Sequence, residues 1–364
     1  MECLNEDVRK QVKSRFDTIA KPIDGMGKFE TILSGIGALR GNAVFSLKKK
    51  AVLVFCSDNG IVEEGVSQSP SEVTLRVINN MLSGKSSVAV MAKHIDADLY
   101  VTDIGTDCSP EDVIPENLRG DSVAFLDYKI RRGSRNFAKE PAMTEEETKR
   151  AIETGCSLVK ELAGKGVDII ALGEMGIGNT TTSSAVCAAL TGCSAETLTG
   201  RGAGLNDSGL LRKKTVINEA IKRYDLINKD VISVLQCVGG YDIAALVGAI
   251  TGGYKYHVPV VLDGVITMAA ALAASKLEPE CLKCCILSHK GKEPAVAVLE
   301  EELIKCGAMC DSMIYASMAL GEGTGAVMML SLLDLAMEVY GNAARFDDLS
   351  MEQYKRYDNI NTGR

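Results

Sequence analysis

The chain has 364 residues, 46% of them hydrophobic, enough to bury one large core or two of ordinary size. A net charge of −8 excludes a general affinity for nucleic acid or acidic membranes, so an anionic ligand must be met by local cations and N–H groups. No apolar run approaches the ~20 residues of a membrane span. The charged stretch 1–15 lacks the apolar centre of a signal peptide, and a cytoplasmic protein is expected.

Residues 1–40 read as helical, and so does the end of the chain. Together 1–40 and about 340–364 are expected to form a small helical domain beside a large α/β domain over 41–339 that carries the active site. Lys48-Lys49-Lys50 reads as a solvated lead-in to a strand at 51–56. Pro70-Ser71 opens a helix over 72–83, and Gly84 closes it. A strand at 99–104 follows, then an irregular stretch, 106–136, that is a candidate active-site loop. Its Arg131 and Arg132, with Arg135, read largely as solvated surface. Thr144-Glu145-Glu146-Glu147 is a capping box for a helix ending near Gly164. Further strands are expected at 167–172, 259–262 and 283–287, and further helices at 183–190, 211–224, 242–251, 266–275, 295–305 and 324–338. Continuous apolar strands separated by helices predict an α/β fold, a parallel sheet with helices on both faces. Each of the five strands ends in a polar or glycine-containing loop, and such ends share one ligand site.

Glu174-Met175-Gly176-Ile177-Gly178-Asn179-Thr180-Thr181-Thr182 stands between a strand and a helix. Open N–H groups and the helix dipole make such a turn a cradle for an anion. Gly176 and Gly178 allow close approach, while Asn179 and Thr180 add polar contacts. Gly321-Glu322-Gly323-Thr324-Gly325 places a carboxylate between glycines before an apolar helix. In a dry pocket its pKa would rise, which suits a general base; the plain alternative is a carboxylate at a helix N-terminus. The loop from Arg201 to Asp207, with Gly202 and Gly204, leads into a helix carrying Lys213 and Lys214; it is either a flexible loop or a ribose or phosphate contact. Asp263 either caps the next helix or binds ribose hydroxyls, and Ser288-His289-Lys290 is equally open. Twelve scattered cysteines read as reduced thiols. The spacing of Cys281, Cys284, Cys306 and Cys310 resembles a zinc site only loosely, and three histidines do not favour a metal centre. Gly84-Lys85-Ser86 closes a helix, so it is no ATPase phosphate loop.

Taken together the segments resemble the nicotinate-nucleotide:dimethylbenzimidazole phosphoribosyltransferases of cobamide assembly. The matching pieces run from Lys21-Pro22 and Glu30 through Glu64-Gly65-Val66-Ser67, Pro70 and Asn80 to Asn136 and Ala142-Met143-Thr144. They continue through 173–181, 200–205, Gly239-Gly240, Leu262-Asp263-Gly264, Ser288-His289 and Glu293-Pro294 to 320–326. The resemblance implies a Rossmann-like large domain, a small helical domain and a dimer, with no metal and no cofactor. It implies transfer of the phosphoribosyl group of nicotinate mononucleotide to an incoming base with inversion. By the same match Glu322 is the general base, and Gly176, Gly178, Asn179 and Thr180 hold the phosphate. Glu174, Gly202, Gly204, Lys213, Asp263 and Ser288 line the nucleotide site.

The departures from the family pattern fall near the acceptor. Asp58-Asn59-Gly60 stands for Asp-His-Gly, Ser69 for an aromatic, Arg76 for a glutamine, Met81 for a phenylalanine, Ala295-Val296 for Gly-His, and Ala319 for an arginine. Ser67, Ser69 and Arg76 are therefore the expected acceptor pocket. Candidate acceptors are dimethylbenzimidazole, adenine and phenols; a phenol, with a pKa of about 10, needs a base most. Phenol-activating relatives work as heterodimers, so the partner is a second copy or a paralogue. The alternative is a subunit that completes a paralogue's site without catalysis of its own.

Overall fold

The computed structural model describes residues 4–356. Strand β1 (Lys50–Ser57) is buried along its whole length. Ala51, Leu53 and Phe55 enter one core, and Val52, Val54 and Cys56 enter another. Alternation places successive side chains on opposite faces, so a strand that is apolar throughout needs cover on both. Strands β2 (Ala97–Gly105), β3 (Val123–Asp127), β4 (Ile169–Met175), β5 (Val260–Leu262) and β6 (Cys285–Leu287) complete the sheet in the order β3-β2-β1-β4-β5-β6. Every pairing is parallel. Chain direction across the sheet reverses between β1 and β4, and doubly wound sheets bind ligands beyond the strand ends near that point.

Helices α1 (Glu6–Thr18), α2 (Lys28–Arg40), α3 (Glu72–Leu82), α4 (Ser87–His94) and, from the far end of the chain, α13 (Thr324–Asn342) bury side chains against one face. The other face is covered by α5 (Glu145–Gly164), α6 (Asn179–Thr191), α7 (Ala195–Leu198), α8 (Asp207–Tyr224), α9 (Val231–Val238), α10 (Tyr241–Lys255), α11 (Val265–Leu277) and α12 (Ala295–Lys305). The capping box forms as expected: Thr144 Oγ1 accepts from Glu147 N at 3.1 Å, and Glu147 accepts from Thr144 N at 2.7 Å. Val8, Val12 and Phe16 bury one stripe of α1. The returning chain meets it, with Phe346 N donating to Thr18 O at 3.0 Å and Arg356 paired with Asp17 and Asp24. These helical side chains join the same core as Val52 and Val54. Residues 357–364 of the expected helical domain lie outside the described residues.

Some expectations need correction. The stretch 106–136 contains edge strand β3, paired with β2, and none of it lines the site described below. A five-residue strand at a sheet edge is only half buried, so its apolar signal is weak. Lys50 is not solvated: it is the first residue of β1 and pairs with Asp334 at 3.1 Å. The last strand is shorter than expected, because Cys281–Cys284 form a 3₁₀ turn before it. Helices α4 and α9 were not anticipated. Among the described residues α13 alone is long and apolar enough to cross a membrane, and half of it is buried inside this fold. The eleven described cysteines are free thiols.

Helices α5 and α10 touch backbone to backbone. A Cβ on Gly155 would stand 1.9 Å from Ala245 O, and one on Gly248 would stand 1.8 Å from Ile152 O. Gly164, in the same helix as Gly155, faces open space. Gly155→Ala is expected to lower stability by about 1–3 kcal/mol through overpacking. Gly164→Ala is expected to raise it by about 0.5–1 kcal/mol through helix propensity. Urea melts of both variants, read at the midpoint with unchanged slope, check the contrast.

Candidate active site

Beyond the carboxyl ends of β4, β5 and β6 lies a cavity of about 360 Å³. Strand β4 ends in Glu174 and Met175 and turns into α6 through Gly176, Ile177 and Gly178. Gly176 has no room for a side chain, since a Cβ would stand 2.2 Å from Ser57 O. Gly178 caps α6 at φ +96°. Asn179 N donates to Gly176 O at 3.1 Å and Thr181 N to Gly178 O at 2.9 Å, so the helix dipole and the remaining N–H groups of the turn make this end attractive to an anion. Thr180 faces the cavity, and its Oγ1 accepts from Lys213 Nζ at 2.9 Å. Lys213 itself is fully buried, and burial pushes its pKa down to about 8 against the opposing pull of Glu293.

The opposite wall is the loop before α13. Glu322 adopts φ +63°, between Gly321 at +85° and Gly323 at +91°. A non-glycine residue in this region costs on the order of 1 kcal/mol and persists only when its surroundings hold it. Asp263 does the holding. Its Oδ1 accepts from Gly325 N at 2.7 Å and Ala326 N at 3.0 Å, and its Oδ2 accepts from Gly323 N at 3.1 Å. A carboxylate bonded to three N–H groups at a helix N-terminus is a strong clamp. Gly173 lets β4 run beside the loop, because a Cβ there would stand 2.6 Å from Glu322 O. Glu322 lines the cavity, and its buried Oε2 has no hydrogen-bond partner. Burial raises its pKa; the Val88 N–H opposes this and the negative Asp263 adds to it.

A second acidic pair lies beside the first. Asn179 Nδ2 donates to Glu174 Oε2 and, at 3.1 Å, to Asp242 Oδ2. Burial, then the neighbouring Asp242, pushes Glu174 up to about 8. Burial pushes Asp242 up to about 6. Glu174 faces the cavity, whereas Asp242 is enclosed behind it. Asn59 supports the same turn, its Oδ1 accepting from Thr182 Oγ1 at 3.1 Å.

The family model described as Phosphoribosyltransferase matches residues 1–350. The nicotinate-nucleotide–dimethylbenzimidazole phosphoribosyltransferase of Acetivibrio thermocellus is 40% identical over 97% of this chain and 96% of its own. That of Ruminiclostridium cellulolyticum gives the same figures, 40% over 97% and 96%. The crystal structure of CobT from Thermus thermophilus is 33% identical with a TM-score of 0.86, covering 96% of this chain and 100% of that one. The chain belongs to the nicotinate-nucleotide–dimethylbenzimidazole phosphoribosyltransferase family. It is a pentosyltransferase with that family's α/β fold.

In this phosphoribosyltransferase the cavity brings together Glu322, Glu174, Gly176, Asn179, Thr180, Gly202, Asp263 and Ser69. The other candidates stand outside its lining. Gly178 shapes the turn from behind, and Lys213 Nζ lies behind Thr180 and near Gly202. Gly204 is exposed beside Gln68. Ser288 is buried and donates to Asp263 O at 2.8 Å. Ser67 accepts from Ser69 N at 3.2 Å. Arg76 lies on the exposed face of α3, and that helix presents Val73 and Val77 to the cavity. Of the five strand ends expected to meet, those of β4, β5 and β6 reach the cavity; the connection after β1 adds Ser69, and the loop after β2 stays outside the lining. The sequence reading missed Asp242 and left His289 open. The glycine pair before Asp242 was the available signal. Among the described residues the one acidic, cysteine or histidine group close enough to share an ion is Asp17, Asp24 and Glu30, far from the cavity lining and already paired with Arg356 and Lys21.

Glu174 keeps its proton to about pH 8 in the folded chain, whereas the unbound carboxyl has a value of 4.5. The folded state therefore holds the extra proton across that window. Stability from protonated Glu174 is full below the unfolded value and is lost as pH rises through the folded one. Glu174→Gln cannot lose a proton, so its stability relative to wild type is expected to rise between about pH 5 and about pH 8.5. Urea melts of both proteins at the two pH values check the sign.

Proposed function

We propose that this chain transfers the 5-phosphoribosyl group of nicotinate mononucleotide to an aromatic lower-ligand base of a cobamide, giving an α-ribotide and nicotinate. The observation that carries the reading is Glu322: a carboxylate with one unpartnered buried oxygen, held in a left-handed conformation over a cavity that faces a helix N-terminus. A raised pKa suits a base that takes a proton near neutral pH.

In this reading the donor phosphate sits on the first turn of α6. Thr180 Oγ1 already accepts from Lys213, so its own proton is available to a phosphate oxygen. Glu322 and Asp263 make the α13 end of the cavity acidic, which favours the phosphate at the α6 end. Glu322 then removes the N–H or O–H proton of the acceptor. The freed lone pair attacks the anomeric carbon, and the bond to the pyridinium nitrogen breaks. Its electron pair neutralises the departing ring, and attack from the opposite face converts the β-linkage to an α-linkage. A pyridinium is a good leaving group, so orientation and one base supply most of the acceleration.

The acceptor ring would rest on Val73, Val77, Met175 and Met318, and none of the lining residues is phenylalanine, tyrosine or tryptophan. Thioethers and branched side chains hold a ring by shape and polarizability rather than by stacking. Such a wall accepts dimethylbenzimidazole, adenine or a phenol. The working unit is a dimer of two copies or of this chain with a paralogue, and the terminal helices with the returning C-terminal segment make its small domain.

The test is a competition assay with nicotinate mononucleotide and a mixture of dimethylbenzimidazole, adenine, phenol and p-cresol, with ribotides read by mass spectrometry. Glu322→Gln is expected to lower kcat about 10²–10⁴-fold with little change in donor affinity. A Gln variant that keeps wild-type kcat would refute the base assignment. Donor binding without product from the pure chain would support the paralogue-dependent subunit instead.

A further inference from the structure

His289 follows β6 and lines the cavity, yet it is 95% buried, with 5% of its surface exposed. Its Nδ1 lies 3.0 Å from Ser288 Oγ. A serine hydroxyl has one proton to give. Ser288 gives it to the backbone carbonyl of Asp263 at 2.8 Å. The serine oxygen can then only accept from the ring, so Nδ1 carries the hydrogen. If the serine proton turned to the ring instead, the Asp263 carbonyl would lose this donor in a buried site. The ring also packs on the first turn of α13, since a Cβ on Gly325 would stand 2.1 Å from Nδ1. Its other nitrogen looks the opposite way. Methyl groups built on Gly264 and Gly291, both in the cavity lining, would stand 3.5 and 3.8 Å from Nε2.

We propose that His289 is a donor-binding residue, its unprotonated Nε2 accepting a hydrogen bond from a ribose hydroxyl of the bound nucleotide. This rests on the functional reading above and adds to it the group that recognises the sugar. A ring nitrogen with a lone pair repels phosphate and carboxylate oxygens, so among the groups of a nucleotide it selects a hydroxyl. Burial holds the imidazole in its neutral form, against the pull of Asp263. Asp263 already spends most of its acceptor sites on three N–H groups of the Glu322 loop. Sugar recognition at this strand end passes to its neighbour on β6.

Two experiments test the inference. The first uses the wild-type protein without ligand. The chain has three histidines, so ¹⁵N imidazole spectra are simple, and the His289→Gln spectrum assigns the resonance. At about pH 7.5 the Nδ1–H tautomer is expected; an Nε2–H tautomer or an imidazolium overturns the proposal. The second compares dissociation constants for nicotinate mononucleotide and its 2′-deoxy and 3′-deoxy analogues. Wild type is expected to bind one deoxy analogue at least about fivefold more weakly. His289→Val is expected to lose that discrimination, and His289→Gln, whose amide oxygen can occupy the place of Nε2, to keep much of it. Discrimination that is absent in wild type or survives in His289→Val overturns the inference alone. A wild-type chain in the expected tautomer that binds no nicotinate mononucleotide overturns the functional reading, and the donor assignment with it.

Discussion

The site depends on one carboxylate that holds a loop in place. Asp263 binds three N–H groups at the start of α13 and so fixes the loop that carries Glu322. Without that clamp a glutamate at φ +63° would relax toward ordinary backbone, and its carboxylate would leave the cavity. The clamp works because β5 ends where α13 begins, and because Gly173 leaves space for the loop against β4. Strand order therefore enters the chemistry directly: the sheet aligns β4, β5 and β6, and each supplies one part of the support.

The cavity sets two acids beside the N-terminus of α6, Glu174 and the enclosed Asp242, against two at the α13 loop, Asp263 and Glu322. Burial raises the proton affinity of Glu174, Asp242, Asp263 and Glu322, and Glu174 is raised further by the charges of the other three. The protein offsets part of this with amides rather than cations, since Asn179 joins Glu174 to Asp242 and Asn59 holds the adjoining Thr182. The resemblance led one to expect histidine at position 59. A neutral amide there leaves the acidic pair without a nearby imidazolium, which favours a protonated Glu174 at neutral pH.

Local features were legible in the sequence. The glycine turn at 176–178 and the Gly-Glu-Gly loop at 321–323 announce themselves, because the left-handed backbone at 178, 321 and 323 and the close approach of Ser57 to 176 favour glycine there. Strong strands such as β1 and β4 were equally plain, since both faces are buried and the apolar run is unbroken. What stayed hidden depends on distant contacts. That Asp263 clamps the start of α13, rather than the helix that follows it in sequence, depends on residues sixty positions away. Asp242 reads as an ordinary first-turn acid until Asn179 is placed beside it. Edge strand β3 gave too little apolar signal, and the exposure of Arg76 follows from the rotation of α3, which presents Val73 and Val77 instead.

The most direct test of the whole account is a crystal structure of the protein with nicotinate mononucleotide bound. The account predicts the phosphate on the first turn of α6 beside Thr180. It also predicts Glu322 still in its left-handed conformation, with its carboxylate facing the anomeric carbon. A phosphate bound elsewhere, or a Glu322 carboxylate turned out of the cavity with the Asp263 bonds broken, would contradict it.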